Sequence, residues 1–590
     1  MPERVLKTWG RLAIALLVIS LVDIPFHGSR ALTNLFFLTQ DLPILIGLLI
    51  FEIAYRRAPR LAGVTATVAG RLVATPALRG ALNPARPGLA VATLAAACLV
   101  IGWIGTWLVY DGYALSMDEF MANFDAVFLA HGQLMAKVAP AWRADLPAMG
   151  PQFLFHPGGG GYWMSAYLPV NAGLRALGGL VGARGLISPL LAAIPVVAVF
   201  GVGRRLWPDR PHIAWLAAIL LATSSQLLVT AMTPYAMTAH LAFNLVWLWL
   251  FLIDRWWGHV GAIVVGGFAC GLHQLAFHPL FVAPFILQLW LDRRWRLGAL
   301  YTIAYAGICF FWLDYANLAA RTVGAIGLGD EGGARWFASH AHIDLAGVGL
   351  MAKNLIRFAT WQNLLTAPLL VLGARAAVRA KGATRALIGG LVLTILASYV
   401  IMAYQGHGWG YRYVHGLLGS ACLLAAWTWA SFSDGLDAAG QARGRAVFGA
   451  VAAASLLILF PIRAWQVHDF VHPYAMADAE IRGAKAGAVI VDDGGIWFGV
   501  DLVRNDPYLT NRPLVFYRPF LNGARLRDLC ARYTISVFDQ ADAARLGIRT
   551  FPAPKSQRGP DLKPLLRDLK CAMTPVATAD GSGVGRLAHD

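Results

Sequence analysis

The chain has 590 residues, 58% of them hydrophobic and only 14% charged, where soluble domains carry about 25% charged residues. Together with a mean hydropathy of +0.57, this excludes a protein that is water-soluble throughout. The formal charge of +17 does not mark a nucleic-acid partner, because much of the arginine sits in short loops between apolar runs, where it sets membrane orientation.

A bilayer core about 30 Å thick needs about 20 apolar residues per helix. Thirteen predicted spans follow: 8–26, 35–55, 88–110, 187–206, 212–232, 238–257, 259–275, 277–291, 298–318, 362–380, 385–404, 413–432 and 445–462. The first span has a basic start but no convincing small-residue cleavage site, so it reads as a helix rather than a signal peptide. Segment 56–87 carries Arg56, Arg57, Arg60, Arg71, Arg79 and Arg86 and no acid. It is expected on the cytoplasmic side, and the basic turns at 204–205, 255, 293–296, 379–385 and 443–445 fall on that side with it. The N-terminus is then cytoplasmic and the chain from about 463 extracytoplasmic. For a bacterial source this means the inner (cytoplasmic) membrane.

Between the spans lie two large outside loops, 111–186 and 321–361. The first is acidic over 111–161. Its stretch 117–138 places Met117, Phe120, Met121, Phe124, Val127, Phe128 and Met135 at roughly helical spacing, which predicts an amphipathic helix on the membrane surface. Segment 162–180 is apolar but broken by glycine, and reads as interfacial or re-entrant. In the tail, "GAVIVDDGG" and "YTISVFDQ" read as buried strands, and "GARLRDLCARY" and "LKPLLRDLKCAM" as amphipathic helices. Cys530 and Cys571 can pair there if the tail faces an oxidising compartment. The fold class is thus mainly α: a polytopic membrane protein with about 13 transmembrane helices and a small C-terminal extracytoplasmic α/β domain. The expected units are a two-helix membrane extension with its cytoplasmic loop (1–87), a transmembrane domain (88–462) and the α/β domain (463–590).

Ionisable residues at membrane depth are costly and usually mark function. Here they gather at the predicted outer ends: Asp118, Glu119 and His156; Tyr235 and His240; His273, Gln274 and His278; Asp314; and His407, Trp409, Tyr411, Arg412 and His415 in "GHGWGYRYVH". That pattern points to an outward-facing polar cavity. An Asp-Glu pair by itself can simply open a helix, where the dipole favours acids.

The stretch "GYALSMDEFMANFDAVFLAHGQL", directly after the third span, resembles the GT-C superfamily of membrane glycosyltransferases. It is most similar to the branch containing protein O-mannosyltransferases and the lipid A aminoarabinose transferase. "FLFHPGGGGYWMSAYLPVNAGLRALGG" is similar to that branch's His-Pro and Tyr-Pro loop. "LISPLLAAIPVVAVFGVGRRLW" resembles its next span, and "GHGWGYRYVHGLLGSACLLAA" a later Gly-rich turn with an Arg ahead of a span. The resemblance covers roughly 88–462 and is most specific in 110–206.

It implies transfer of a sugar from a polyprenyl-phosphate donor to a lipid, polysaccharide or protein acceptor on the outer face, with inversion. Asp118 matches the family's catalytic carboxylate and is expected as general base, with Glu119 as its helper. Arg412 is the first expected phosphate contact, because a guanidinium fork suits phosphate oxygens. His156, His407, Tyr167 and Tyr411 are further expected substrate contacts. The sequence departs from the family in "SAYLP": Ala166 stands where relatives often carry a basic residue, and Leu168 interrupts the Tyr-Pro turn. Other cations then meet the phosphate: Arg412, or Arg335, Lys353 and Arg357 in the second loop. No metal or other cofactor is expected. "GLGDEGG" at 327–333 neither follows a strand nor opens a βαβ unit, and His340 and His342 lack a third ligand at proper spacing. A transporter or flippase for a glycolipid or polar solute, or a non-catalytic membrane scaffold, are the rival readings. No internal repeat of the kind common in transporters is visible.

Overall fold

The computed structural model describes residues 2–23, 31–57, 67, 71, 84–325, 343–403, 405–552 and 561–576. Arg335, His340, His342 and the "GLGDEGG" stretch lie outside the described residues.

The protein is mainly α-helical, as composition demands. Seven helical segments are long and apolar enough to cross a bilayer: Leu32–Arg57, Pro87–Leu108, Arg184–Leu206, Trp295–Thr322, Ala383–Met402, Arg412–Ser433 and Ala438–Gly483. Four shorter apolar helices, His212–Ala222, Met237–Phe251, Trp256–Cys270 and Phe277–Leu291, occupy the positions of four more predicted spans. The outer flanks expose large apolar side chains, among them Ile303, Phe310 and Leu457. Such a surface is stable against lipid rather than water.

The predicted span 362–380 is half of a broken element. Leu345–Trp361 and Thr366–Arg379 meet at 113°. The first of these helices lies within the predicted outside loop 321–361, yet nearly all of it is buried. A break among packed helices must satisfy its polar groups internally. Asn363 donates to Thr223 Oγ1 (2.8 Å), and Gln362 accepts from Ser224 Oγ (2.6 Å).

The first loop folds into a compact cap. Helix Met117–Ala130 ends at Gly132, whose φ of 71° suits a left-handed stop. It is therefore shorter than the predicted 117–138. Residues Ala136–Lys137 form instead a small antiparallel sheet with Tyr162–Ser165 and Leu154–Phe155. The helix's apolar face packs against this sheet and the tail domain, with Phe124 edge-on to Trp163 at 5.2 Å. Helix Val170–Leu180 has 11 residues; at 1.5 Å per residue it is about 16 Å long and cannot cross the bilayer by itself.

The last apolar helix runs unbroken from Phe460 to Gly483, past the predicted boundary at 463. Beyond it stands a three-stranded parallel sheet, with Ala488–Val491 between Leu514–Tyr517 and Ile535–Phe538. Two of these strands match the predicted ones. The third, in "PLVFY", was not predicted. Helices Gly523–Arg532 and Leu562–Asp568 flank the sheet, and Cys530 and Cys571 are joined in a disulfide. The domain is fastened to the cap: Trp163 Nε1 donates to Pro507 O (2.7 Å), Asn505 to Met149 O (2.8 Å) and Arg504 to Leu115 O (2.8 Å).

Candidate active site

Ser116 precedes helix Met117–Ala130 as its cap residue, and the two acids that follow divide the work. Glu119 turns back, accepting the Ser116 backbone N–H at 2.6 Å and the Thr233 hydroxyl. This is the reciprocal half of a capping box. With the cap supplied by Glu119, Asp118 is free to face the other way. Its Oδ2 takes Arg412 Nη2 at 2.7 Å and its Oδ1 the Tyr167 hydroxyl.

Arg412 is delivered by the glycine-rich turn. Gly408 has φ 132° and Gly410 φ 64°, conformations that side chains rarely adopt. A Cβ on Gly408 would stand 2.9 Å from Arg412 Cδ, and one on Gly410 2.5 Å from Gln226 Cδ. The turn therefore folds tightly enough for Arg412 to donate to His407 O (2.6 Å) while reaching Asp118. The guanidinium also lies over the rings of Tyr235 and Tyr413, at 5.4 and 5.5 Å, a cation–π setting. Tyr235 in turn accepts from Ser116 Oγ at 2.9 Å, so cap and turn share one network.

Tyr167 is positioned from two sides. Its ring stacks on His273 at 3.9 Å. Its backbone N–H donates to Ser165 Oγ (3.0 Å), and the Ser165 N–H donates to the buried Asp125 (3.0 Å). A narrow cleft of about 30 Å³ begins beside these groups; Tyr235, His240, Asn244, His273, Arg412 and Tyr413 line it.

The electrostatics separate the three acids. Burial pushes the Asp118 carboxyl up, but Arg412, His273 and the Tyr167 hydroxyl outweigh it, leaving Asp118 below the ordinary carboxylate value. For Glu119 burial wins over the Thr233 and Ser116 hydrogen bonds and pushes it up to about 7. Asp125 is likewise pushed up to about 7 by burial. His273 is pushed down to about 4, again by burial. At neutral pH the site thus holds one firm carboxylate facing one guanidinium and a neutral imidazole.

Of the residues expected from sequence, Asp118, Glu119, Tyr167 and Arg412 are brought together. The His407 ring turns instead to Asp501 (3.3 Å) and Phe498 (3.9 Å) of the tail domain. Tyr411 is fully buried, its hydroxyl 3.7 Å from Met351 Sδ. Lys353 is buried against Asn34 and the Phe37 ring. His156 packs near Trp163, ring centroids 6.4 Å apart. Tyr235 and His273 belonged to the polar set at the predicted outer turns without an assigned role. Asp125, Ser165 and Tyr413 carried no sequence signal that separates them from ordinary helix and loop residues.

Mainly α architecture, apolar spans and an acid–guanidinium site at a cleft define a multi-pass membrane protein with a polar reaction or binding centre. Among solved structures, the chain is similar to ArnT from Cupriavidus metallidurans bound to undecaprenyl phosphate. The two share 13% identity with a TM-score of 0.48, over 77% of this chain and 87% of that one. It is also similar to ArnT from the same organism in the apo state, at 13% identity and a TM-score of 0.43, over 78% of this chain and 89% of that one. No family model and no curated protein matches the chain.

Proposed function

We propose that the protein is an integral membrane glycosyltransferase of the GT-C kind. It would transfer a sugar from a polyprenyl-phosphate donor to an acceptor hydroxyl at the extracytoplasmic face. The observation that carries this reading is the Asp118–Arg412 pair with the Tyr167 hydroxyl, brought together from three separate segments of the chain, Arg412 lining the cleft. In the reaction the acceptor oxygen attacks the anomeric carbon while Asp118 takes the acceptor proton. The bond from that carbon to the phosphate oxygen breaks, inverting the centre, and the electron pair leaves with the polyprenyl phosphate. Arg412 then bears the growing phosphate charge.

The pair also suggests an order of events. While Arg412 holds Asp118, the carboxylate is a weak base. A donor phosphate that draws the guanidinium away raises the basicity of Asp118 at the moment a base is needed. In this reading His273, which lines the cleft, would hydrogen-bond a sugar hydroxyl. The membrane orientation rests on the charge pattern of the loops.

The test is release of polyprenyl phosphate by purified protein in nanodiscs, across a panel of polyprenyl-phosphate sugars. Wild type is compared with Asp118→Asn. Turnover lost in the variant, with the thermal midpoint kept, supports the reading. Undiminished turnover in the variant removes Asp118 as base, and absence of both turnover and donor binding in wild type moves the assignment to a transporter.

A further inference from the structure

Among the described residues, one group of three side chains has the composition and closeness of a metal site: Asp111, His468 and His472, with ligand atoms within 4.8 Å of one another. Asp111 follows helix Pro87–Leu108. The two histidines stand four residues apart in "VHDFVH" on helix Phe460–Gly483, so they project from one face.

The Asp111 carboxylate reaches His472 Nδ1 at 2.8 Å and His468 Nδ1 at 4.0 Å, and the two rings lie 5.1 Å apart. In a tetrahedral zinc site with bonds of about 2.0–2.1 Å, neighbouring ligand atoms are roughly 3.3 Å apart. The two carboxylate–imidazole distances bracket that spacing, so small side-chain rotations close it.

A second observation points the same way. Asp111 holds φ 52°, a conformation unfavourable for a residue with a Cβ, and Gly112 follows at φ 67°. Strain of this kind costs on the order of 1 kcal/mol and tends to persist where a side chain must be aimed. Here it aims the carboxylate at the helix. The imidazoles are partly exposed, at 38% and 46%, which leaves an ion a route in and a fourth position for water.

We infer that Asp111, His468 and His472 bind a divalent transition-metal ion, with zinc the best match to two imidazoles and a carboxylate. The site would clip the last apolar helix to the turn seven residues before Asp118. It uses none of the Asp118 cluster, so it stands whatever reaction that cluster performs.

The experiment uses full-length protein in detergent, without a polyhistidine tag and stripped by a chelator. It is titrated with Zn2+ in competition with a chromogenic zinc indicator. Wild type should hold one tight equivalent and gain thermal stability with zinc. His468→Ala/His472→Ala should lose both effects, and Asp111→Asn should bind roughly 100-fold more weakly. Equal tight zinc in wild type and the double variant, or none in wild type, overturns the proposal. If the double variant does not fold, zinc-edge X-ray absorption on the wild type decides. Two imidazoles in the zinc shell support the site, and a shell without imidazole overturns it.

Discussion

Two of the carboxylate–arginine clusters among the described residues contrast in their surroundings. Asp118 meets one guanidinium and one phenol beside a cleft, and both charged side chains keep about a tenth of their surface exposed. Asp41 lies wholly inside the bundle between Arg357 (3.5 Å) and Arg463 (3.2 Å), all three fully buried. It also accepts from Thr360 (2.9 Å) and Trp361 (3.0 Å), and Arg463 covers the Trp361 ring at 4.5 Å. In the first cluster Arg412 lines a narrow cleft. The second is closed off inside the protein and joins the helical segment Leu32–Arg57, the broken element and the last helix. From Arg357 a hydrogen bond runs to Gly408 O at 2.6 Å, so the buried cluster braces the turn that presents Arg412.

The sharpest test of this contrast exchanges the two acids' fates. Asp118→Asn should lower polyprenyl-phosphate release by about 10²–10⁴-fold, the usual range for a lost general base, while the protein stays folded. Asp41→Ala should do the reverse. Stability, read by thermal or proteolytic unfolding, should fall by about 3–5 kcal/mol because two arginines are left buried without their acid. Turnover per folded molecule should fall far less than in Asp118→Asn. If Asp118→Asn unfolds the protein, or Asp41→Ala leaves stability unchanged, the contrast breaks.

A smaller effect is expected at Arg412→Lys. The charge remains but the fork is lost, and kcat/KM should drop by about tenfold, or about 1.4 kcal/mol.

The smallest effect concerns pH. Glu119 keeps its proton up to about 7 in the folded protein, against an ordinary value of 4.5, and Asp125 up to about 7 against 3.8. Between these limits the folded state binds more protons than the unfolded one, so stability falls as pH rises from about 4 to 7. Glu119→Gln should flatten part of that decline in thermal midpoints measured across the range. An unchanged slope would mean that Glu119 is ionised in the folded protein.

Local signals placed Asp118, Glu119 and Arg412 among the polar residues at the predicted outer turns, but their expected roles came only through the resemblance. Tyr167, too, was singled out only through the resemblance. What the sequence did not separate was the division of labour between Asp118 and Glu119, since either acid can serve the first turn of a helix. Asp41 passed unnoticed because a single acid in an apolar run carries no sign of partners more than 300 residues away. His407 and Tyr411 sit in the right turn, but the alternation of that tight loop points their side chains into the tail domain and the bundle.

Composition and the spacing of apolar runs determined by themselves that this chain lives in a membrane, that it is mainly helical and that a small α/β domain follows the apolar helices. Those properties are set by the local cost of placing each side chain against lipid or water. Only the tertiary structure decided that Leu345–Trp361 folds back into the bundle, that the cap helix is roofed by the tail domain, and which acid faces an arginine. Each of these depends on long-range pairing of buried polar groups, whose partners are chosen by packing rather than by their neighbours in sequence.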